Sequence, residues 1–276
     1  MRSPRMSRFL LPLFAFTCAF GPIRAQRPAN SVDDRIPAPA GFERSPVEPG
    51  SFAAFLRALP LKSAGAPVLL YDGSPKPRQD VHAAVIDMST GDRDLQQCAD
   101  AVMRLRAEYL FRQGQADRIA FDLTNGFRAE WRTWRAGSRI RVHGNTCTWV
   151  PGSKADTSHT QLLNYLSTVF MYAGSLSLQR ELDKRTPQDL EVKDVRAGDV
   201  FIHGGSPGHA MIVVDVAHDA KGRTVVLLAQ SYMPAQDIHV VKNLRHPALG
   251  AWFVMGEDER LFTPEWTFEW KDLRRW

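Results

Sequence analysis

Three side chains stand where a thiol hydrolysis could be run. Cys98 falls in the first turn of the helical segment 94–113, His209 is the first residue of the apolar run "HAMIVVDV", and Gln230 ends the run "VVLLAQ". A cysteine nucleophile needs thiolate character, which a helix N-terminus promotes through unpaired N–H groups and the macrodipole. It also needs a base within hydrogen-bond reach and a polar group to orient that base. Cys98 as nucleophile, His209 as general base and Gln230 as orienter meet these needs. The backbone N–H of Cys98 and the side chain of Gln97 or Gln96 are candidate oxyanion donors, and Ser231 and Tyr232 are candidate cleft residues. The alternatives for Cys98 are a small core residue, because it shares a helical face with Leu95, Val102, Leu105 and Tyr109, or a disulfide with Cys147.

A metal centre is the rival chemistry. His203, His209, His218 and His239, with Asp199 and Asp215, supply enough ligand types. None falls in a recognised zinc spacing, so no metal or other cofactor is expected. Asp215 would share a face with Ala210 and Ile212 only if the strand register slips.

The elements that must position these groups are legible as patterns. Residues 51–59 and 94–113 read as helices, with Asp94 as cap and Gln97 as its capping-box partner for the second. Residues 159–182 read as a second long helix with Leu163, Leu166, Phe170 and Leu178 facing the core. Segments 66–73 and 81–88 read as strands around a Gly/Pro turn, and three strands follow from "GDVFIHG", "HAMIVVDVAHD" and "RTVVLLAQSY". The glycine-rich turn 204–208 before His209 suits a site rim, where backbone or ligand must approach closely. Residues 250–276, rich in Trp and Phe, are expected to pack back onto the body. The order predicts an α+β fold with helices packed on an antiparallel sheet.

The ends and charges bound the setting. Arg2, Arg5 and Arg8 precede an apolar run from Phe9 to Phe20 and a small residue at Ala25, the pattern of a signal peptide over 1–25. An uncleaved anchor is the alternative, although the run is short of the roughly 20 residues a span requires. Removing 1–25 takes four of 35 basic residues and none of 30 acids, leaving 31 against 30. The chain is then expected in the periplasm or outside the cell, with no membrane span and no nucleic-acid partner. Residues 26–50 read as a linker or extended arm, and 51–276 as a single α+β domain with an inserted segment around 114–190. "FRAEWRTWR" (127–135) could meet a cell-wall glycan or peptide, or could simply pack its tryptophans inward.

The stretches "RDLQQCADAVMRLRAEYL", "GGSPGHAMIVVD" and "LLAQSYMPAQD" carry a resemblance to a family of exported bacterial proteins known only as a domain of unknown function, over about residues 35–255. More remotely, a helix opening on cysteine followed by "L-x-x-G-D-V" and "G-H-A-x-I-V" patterns is similar to papain-like amidases and peptidases of the NlpC and CHAP type. That second resemblance implies a papain-like core with Cys98, His209 and Gln230 in the catalytic roles. It implies an exported cysteine hydrolase of amide or peptide bonds in the cell envelope, or a binding protein that keeps the fold. The sequence departs from the type in reading "Q-C-A" around the cysteine, and Gln230 brings no negative charge to the histidine.

Overall fold

Apolar runs without polar alternation need cover on both faces, and the runs "HAMIVVDV" and "VVLLAQ" obtain it. The structure, a computed structural model, describes residues 30–276; the signal-peptide pattern lies outside them. In chain order the helices are α1 (Val32–Arg35), α2 (Phe52–Arg57), α3 (Cys98–Arg112), α4 (Trp131–Arg135), α5 (His159–Tyr172) and α6 (Ser175–Asp183). The strands are β1 (Phe42–Arg44), β2 (His82–Val85), β3 (Ala120–Asp122), β4 (Arg128–Glu130), β5 (Ser138–His143), β6 (Thr146–Pro151), β7 (Val200–His203), β8 (His209–Asp219), β9 (Thr224–Gln230), β10 (His239–Val241), β11 (Trp252–Val254), β12 (Leu261–Phe262), β13 (Thr267–Phe268) and β14 (Leu273–Arg274). Eight of them form one sheet in the order β14-β7-β8-β9-β10-β2, with β1 added on β8 and β11 on β9. Every pairing in it is antiparallel. The fold is α+β.

The sheet separates two cores. Ala210, Ile212, Val214, Leu227 and Ala229 meet the helices, chiefly α3, on one side. Met211, Val213, Val226 and Leu228 meet Leu261, Phe268 and Leu273 of the chain's last segment on the other. The Trp- and Phe-rich tail therefore packs back as expected, and it supplies the second cover that lets β8 and β9 stay apolar on both faces. A register shift between Val213 and Asp215 changes the parity of β8. This is the slip required to bring Asp215 to the helix side, where Arg44 Nε (2.6 Å) and Arg57 Nη2 (2.5 Å) pair with its carboxylate.

α3 is the central helix: eleven of its fifteen residues are buried, so its apolar face is only part of what it hides. Arg104 and Glu108 are buried with it, paired at 2.9 Å across one turn. No helix among the described residues is long and apolar enough to cross a membrane.

Several expectations change. Residues 30–50 are not a free linker: α1 and β1 lie there, and β1 pairs with β8 through Phe42–Asp219, Glu43–His218 and Arg44–Ala217. Residues 66–73 make only the isolated bridges Leu69–Pro75 and Leu70–Gln236. Pro67, Pro75 and Pro77 lack the N–H groups a ladder needs. The long helix expected over 159–182 breaks at Ala173–Gly174 into α5 and α6, and α5 buries Leu162, Tyr165, Leu166, Val169 and Phe170, leaving Leu163 only half-buried. In 126–137, β4 and α4 form, and Trp131 and Trp134 pack inward against Tyr165 at 5.6 and 5.9 Å.

Candidate functional site

The helix bearing the cysteine starts three residues later than its pattern suggested. Gln97 takes the cap position, and its N–H donates to Asp100 Oδ2 at 3.1 Å. Asp94 lies outside the helix, accepting from Gln97 Nε2 (2.9 Å) and from the Ala235 N–H (2.6 Å). The correction makes Cys98 the first helical residue. Backbone N–H groups of Ala210, Ala99 and Cys98 itself approach its sulfur. The sulfur thus sits against the residue that follows His209. Cys98 and Cys147 are both free thiols, and Cys147, on the β5–β6 hairpin, accepts from Asn125 Nδ2 at 3.2 Å, so the disulfide does not form.

His209 and Gln230 come together as expected, because β8 starts beside the end of β9: His209 Nε2 and Gln230 Oε1 are 2.7 Å apart. The assignment of protons follows by elimination. His239 Nδ1 faces the Asp237 carbonyl at 2.8 Å and must carry a hydrogen. Burial pushes the His239 imidazole down to about 3, with the Lys76 charge adding to the effect, so its Nε2 is a bare acceptor at neutral pH. Gln230 Nε2 sits 3.3 Å from that nitrogen and 2.7 Å from Glu265 Oε2. Both amide hydrogens are thereby used, and Gln230 Oε1 must turn to His209. His209 then donates through Nε2, and its Nδ1 holds a lone pair, the form a general base requires.

Glu265, Lys76 and Trp266 were not found from sequence. Glu265 and Trp266 lie on the turn between β12 and β13, and Lys76 sits on the proline-rich strap before β2. Lys76 is buried and pairs with Glu265 at 2.6 Å. Gln230 carries no charge, but it stands directly in front of one. Trp266, Phe268 and Tyr232 enclose the His209 ring, with centroids 5.4, 5.9 and 4.8 Å away. Their positions in sequence carry no periodic signal that could tie them to His209.

The enclosure sets the electrostatics. Burial pushes the His209 imidazole down to about 4 against the opposing Gln230 hydrogen bond, and Lys76 pushes the same way as burial. Burial likewise pushes the Cys98 thiol up to about 11, with the Asp100 carboxylate adding to it. The expectation that the helix terminus leaves a low thiol pKa is therefore reversed: loss of water outweighs the nearby N–H groups. Both partners are neutral at pH 7.

Cys98 is only partly buried, and a groove of about 480 Å³ reaches it. Gln97, the first turn of α3, Leu176, Met233 and the turn 205–208 form its walls. Two glycines flanking that turn are held by close approach. A Cβ on Gly208 would stand 2.5 Å from both the Gly205 carbonyl oxygen and Ser175 Oγ, and one on Gly204 would stand 2.7 Å from Gln179 Oε1. Gly204 and Gly208 thus let the turn lie directly on α6.

The other expected residues sort differently. Tyr232 belongs to the site, with its ring on His209 and Lys76 Nζ 5.4 Å from its centroid. Ser231 is fully buried, its hydroxyl 2.8 Å from the carbonyl oxygens of both Gln96 and Gln236, so it ties β9 to the start of α3 rather than lining a cleft. Gln96 lines a separate small cavity and accepts from Arg104 Nη1 at 2.9 Å, away from the groove. Among the described residues no group of three or more His, Cys, Asp or Glu side chains could hold a metal. Asp199 pairs with Arg275 at 2.7 Å, His218 bonds Thr224 at 3.0 Å, and His203 is exposed, 3.7 Å from Asp272.

Comparison with known proteins places the chain at the level of family. The family model described as "Domain of unknown function (4846)" matches residues 32–275, and the chain belongs to that family. Neither the curated proteins nor the solved structures contain a match to it.

Proposed function

We propose that this family member is an exported cysteine hydrolase with a papain-like core, acting on amide or peptide bonds of the cell envelope. The observation that carries the reading is the 2.7 Å contact between His209 Nε2 and Gln230 Oε1, with the amide held in place from behind by Glu265 and His239. It fixes the His209 ring with Nδ1 left to accept a proton.

Because both partners start neutral, proton transfer accompanies attack. The Cys98 sulfur bonds the carbonyl carbon while its proton passes to His209 Nδ1, and negative charge collects on the carbonyl oxygen. Donors at the start of α3, the Cys98 N–H with the Gln97 side chain, face that charge. Collapse breaks the C–N bond, and the amine leaves with the proton from His209. Water then cleaves the thioester, releasing a carboxylic acid and restoring the thiol.

The raised Cys98 thiol favours a second reading, a binding protein whose pair is silent. Alkylation of Cys98 by iodoacetamide separates the two. The hydrolase reading expects reaction near pH 7 that slows by about 10²-fold or more in His209→Ala, the usual scale of general-base assistance. A thiol inert below about pH 10 in both proteins, as unassisted burial would leave it, supports the binding protein instead.

A further inference from the structure

Among the residues lining the Cys98 groove, the ionisable groups other than the thiol are two carboxylates, Asp94 and Asp100, and no Lys or Arg. The two differ in what they already hold. Asp94 accepts from Gln97 Nε2 and the Ala235 N–H. Asp100 is 5% exposed, and only its Oδ2 is engaged, by the Gln97 N–H; Oδ1 has no partner. A buried acceptor left bare is costly, and retention of one beside a nucleophile points to a donor that arrives with the ligand. Asp100 is the third residue of the helix that Cys98 opens, and its carboxylate acts on the thiol electrostatically. A donor bound at Oδ1 therefore lies close to the carbonyl that Cys98 attacks. The groove wall beyond is apolar: Phe170, Leu176 and Met233 line it, with Leu176 and Met233 among the few large apolar side chains exposed in the molecule.

We infer that the groove takes substrates with a free protonated amino group next to the scissile carbonyl and an apolar side chain, with Asp100 Oδ1 receiving the ammonium and Leu176 and Met233 the side chain. The inference deepens the hydrolase reading and rests on it for the reaction, but not for the binding. An amino terminus has an unperturbed pKa near 8 and is charged at pH 7, whereas N-acylation removes both the charge and the donors that Oδ1 lacks.

The test uses leucinamide and N-acetyl-leucinamide, titrated by calorimetry into Cys98→Ala protein so that neither is consumed. Leucinamide is expected to bind about 10- to 100-fold more tightly, the scale of a charge-assisted hydrogen bond. In Cys98→Ala/Asp100→Asn the difference should vanish. Asparagine can still accept from the Gln97 N–H, so the cap and the helix survive the change. Equal affinity for the two ligands, binding of neither at millimolar concentration, or a preference that persists without Asp100 overturns the inference. Turnover of leucinamide by the unaltered protein is followed separately. Selective binding without turnover sustains the Asp100 assignment and defeats the hydrolase reading; turnover without selectivity does the reverse.

Discussion

Asp215 and Asp100 are both buried carboxylates on the helix side of the sheet, and their surroundings could hardly differ more. Asp215 is fully enclosed, with both oxygens taken by Arg44 and Arg57. Arg44 is on β1 and Arg57 on α2, so one side chain fastens the edge strand, a helix and the middle of β8 together. Asp100 spends one oxygen on its own helix cap and leaves the other bare beside a groove. Burial and charge are common to the two. Completion of the partner set is what separates a joint of the scaffold from a candidate for recognition.

The comparison can be broken by mutation, and the largest effect is expected at Asp215. Asp215→Ala strands two arginines that are less than one-fifth exposed, and unfolding in urea should show a loss of about 3–5 kcal/mol, the range for breaking a buried pair. Acid has a separate effect. His209 and His239 titrate at about 4 and about 3 in the folded chain, against roughly 6.5 unfolded. Between those values the unfolded chain binds more protons, so the stability these residues contribute is complete above about pH 6.5 and drains away as the pH falls through 4. Denaturation midpoints measured across that window should fall with pH, and His239→Phe should flatten part of the slope.

Asp100 has the opposite sign and the smallest effect. Burial raises its carboxyl well above the usual range, so its favourable contribution exists at low pH and is lost as the group ionises. Asp100→Asn should therefore gain stability on the order of 1 kcal/mol at pH 8, where an unpaired buried charge is removed, and less at pH 5. Thermal denaturation at the two pH values reads this directly. A loss at Asp100 comparable to that at Asp215 would mean that both acids are structural, and the contrast between them would collapse.

How much of this could be read in advance follows from where each partner lies. Cys98, His209 and Gln230 sit at ends of elements whose apolar patterns are strong, and element ends gather at one edge of an antiparallel sheet. The start of β8 and the end of β9 meet because consecutive strands pair, and that local rule was enough to bring His209 to Gln230. Glu265 and Lys76 obey no such rule: one comes from a short hairpin in the tail, the other from a strap whose prolines prevent it from being a strand. Asp94 precedes the helix pattern and reads as its cap, yet Gln97 and Asp100 cap the helix, since Asp94 is drawn off by the Ala235 N–H of a distant loop. The thiol pKa went the wrong way for a related reason. Helix ends are visible in sequence, but the burial of the sulfur in the folded chain is not.

The β12–β13 hairpin adds a matter of timing. The ribosome completes Cys98, His209 and Gln230 well before it adds Glu265 and Trp266. Until the last segment has folded over β8 and β9, only His239 stands behind the Gln230 amide and only Tyr232 lies against the His209 ring. A chain still being made, or one clipped before residue 261, carries Cys98, His209 and Gln230 without their full arrangement. The β12–β13 hairpin thus finishes an arrangement that residues far ahead of it in the chain begin.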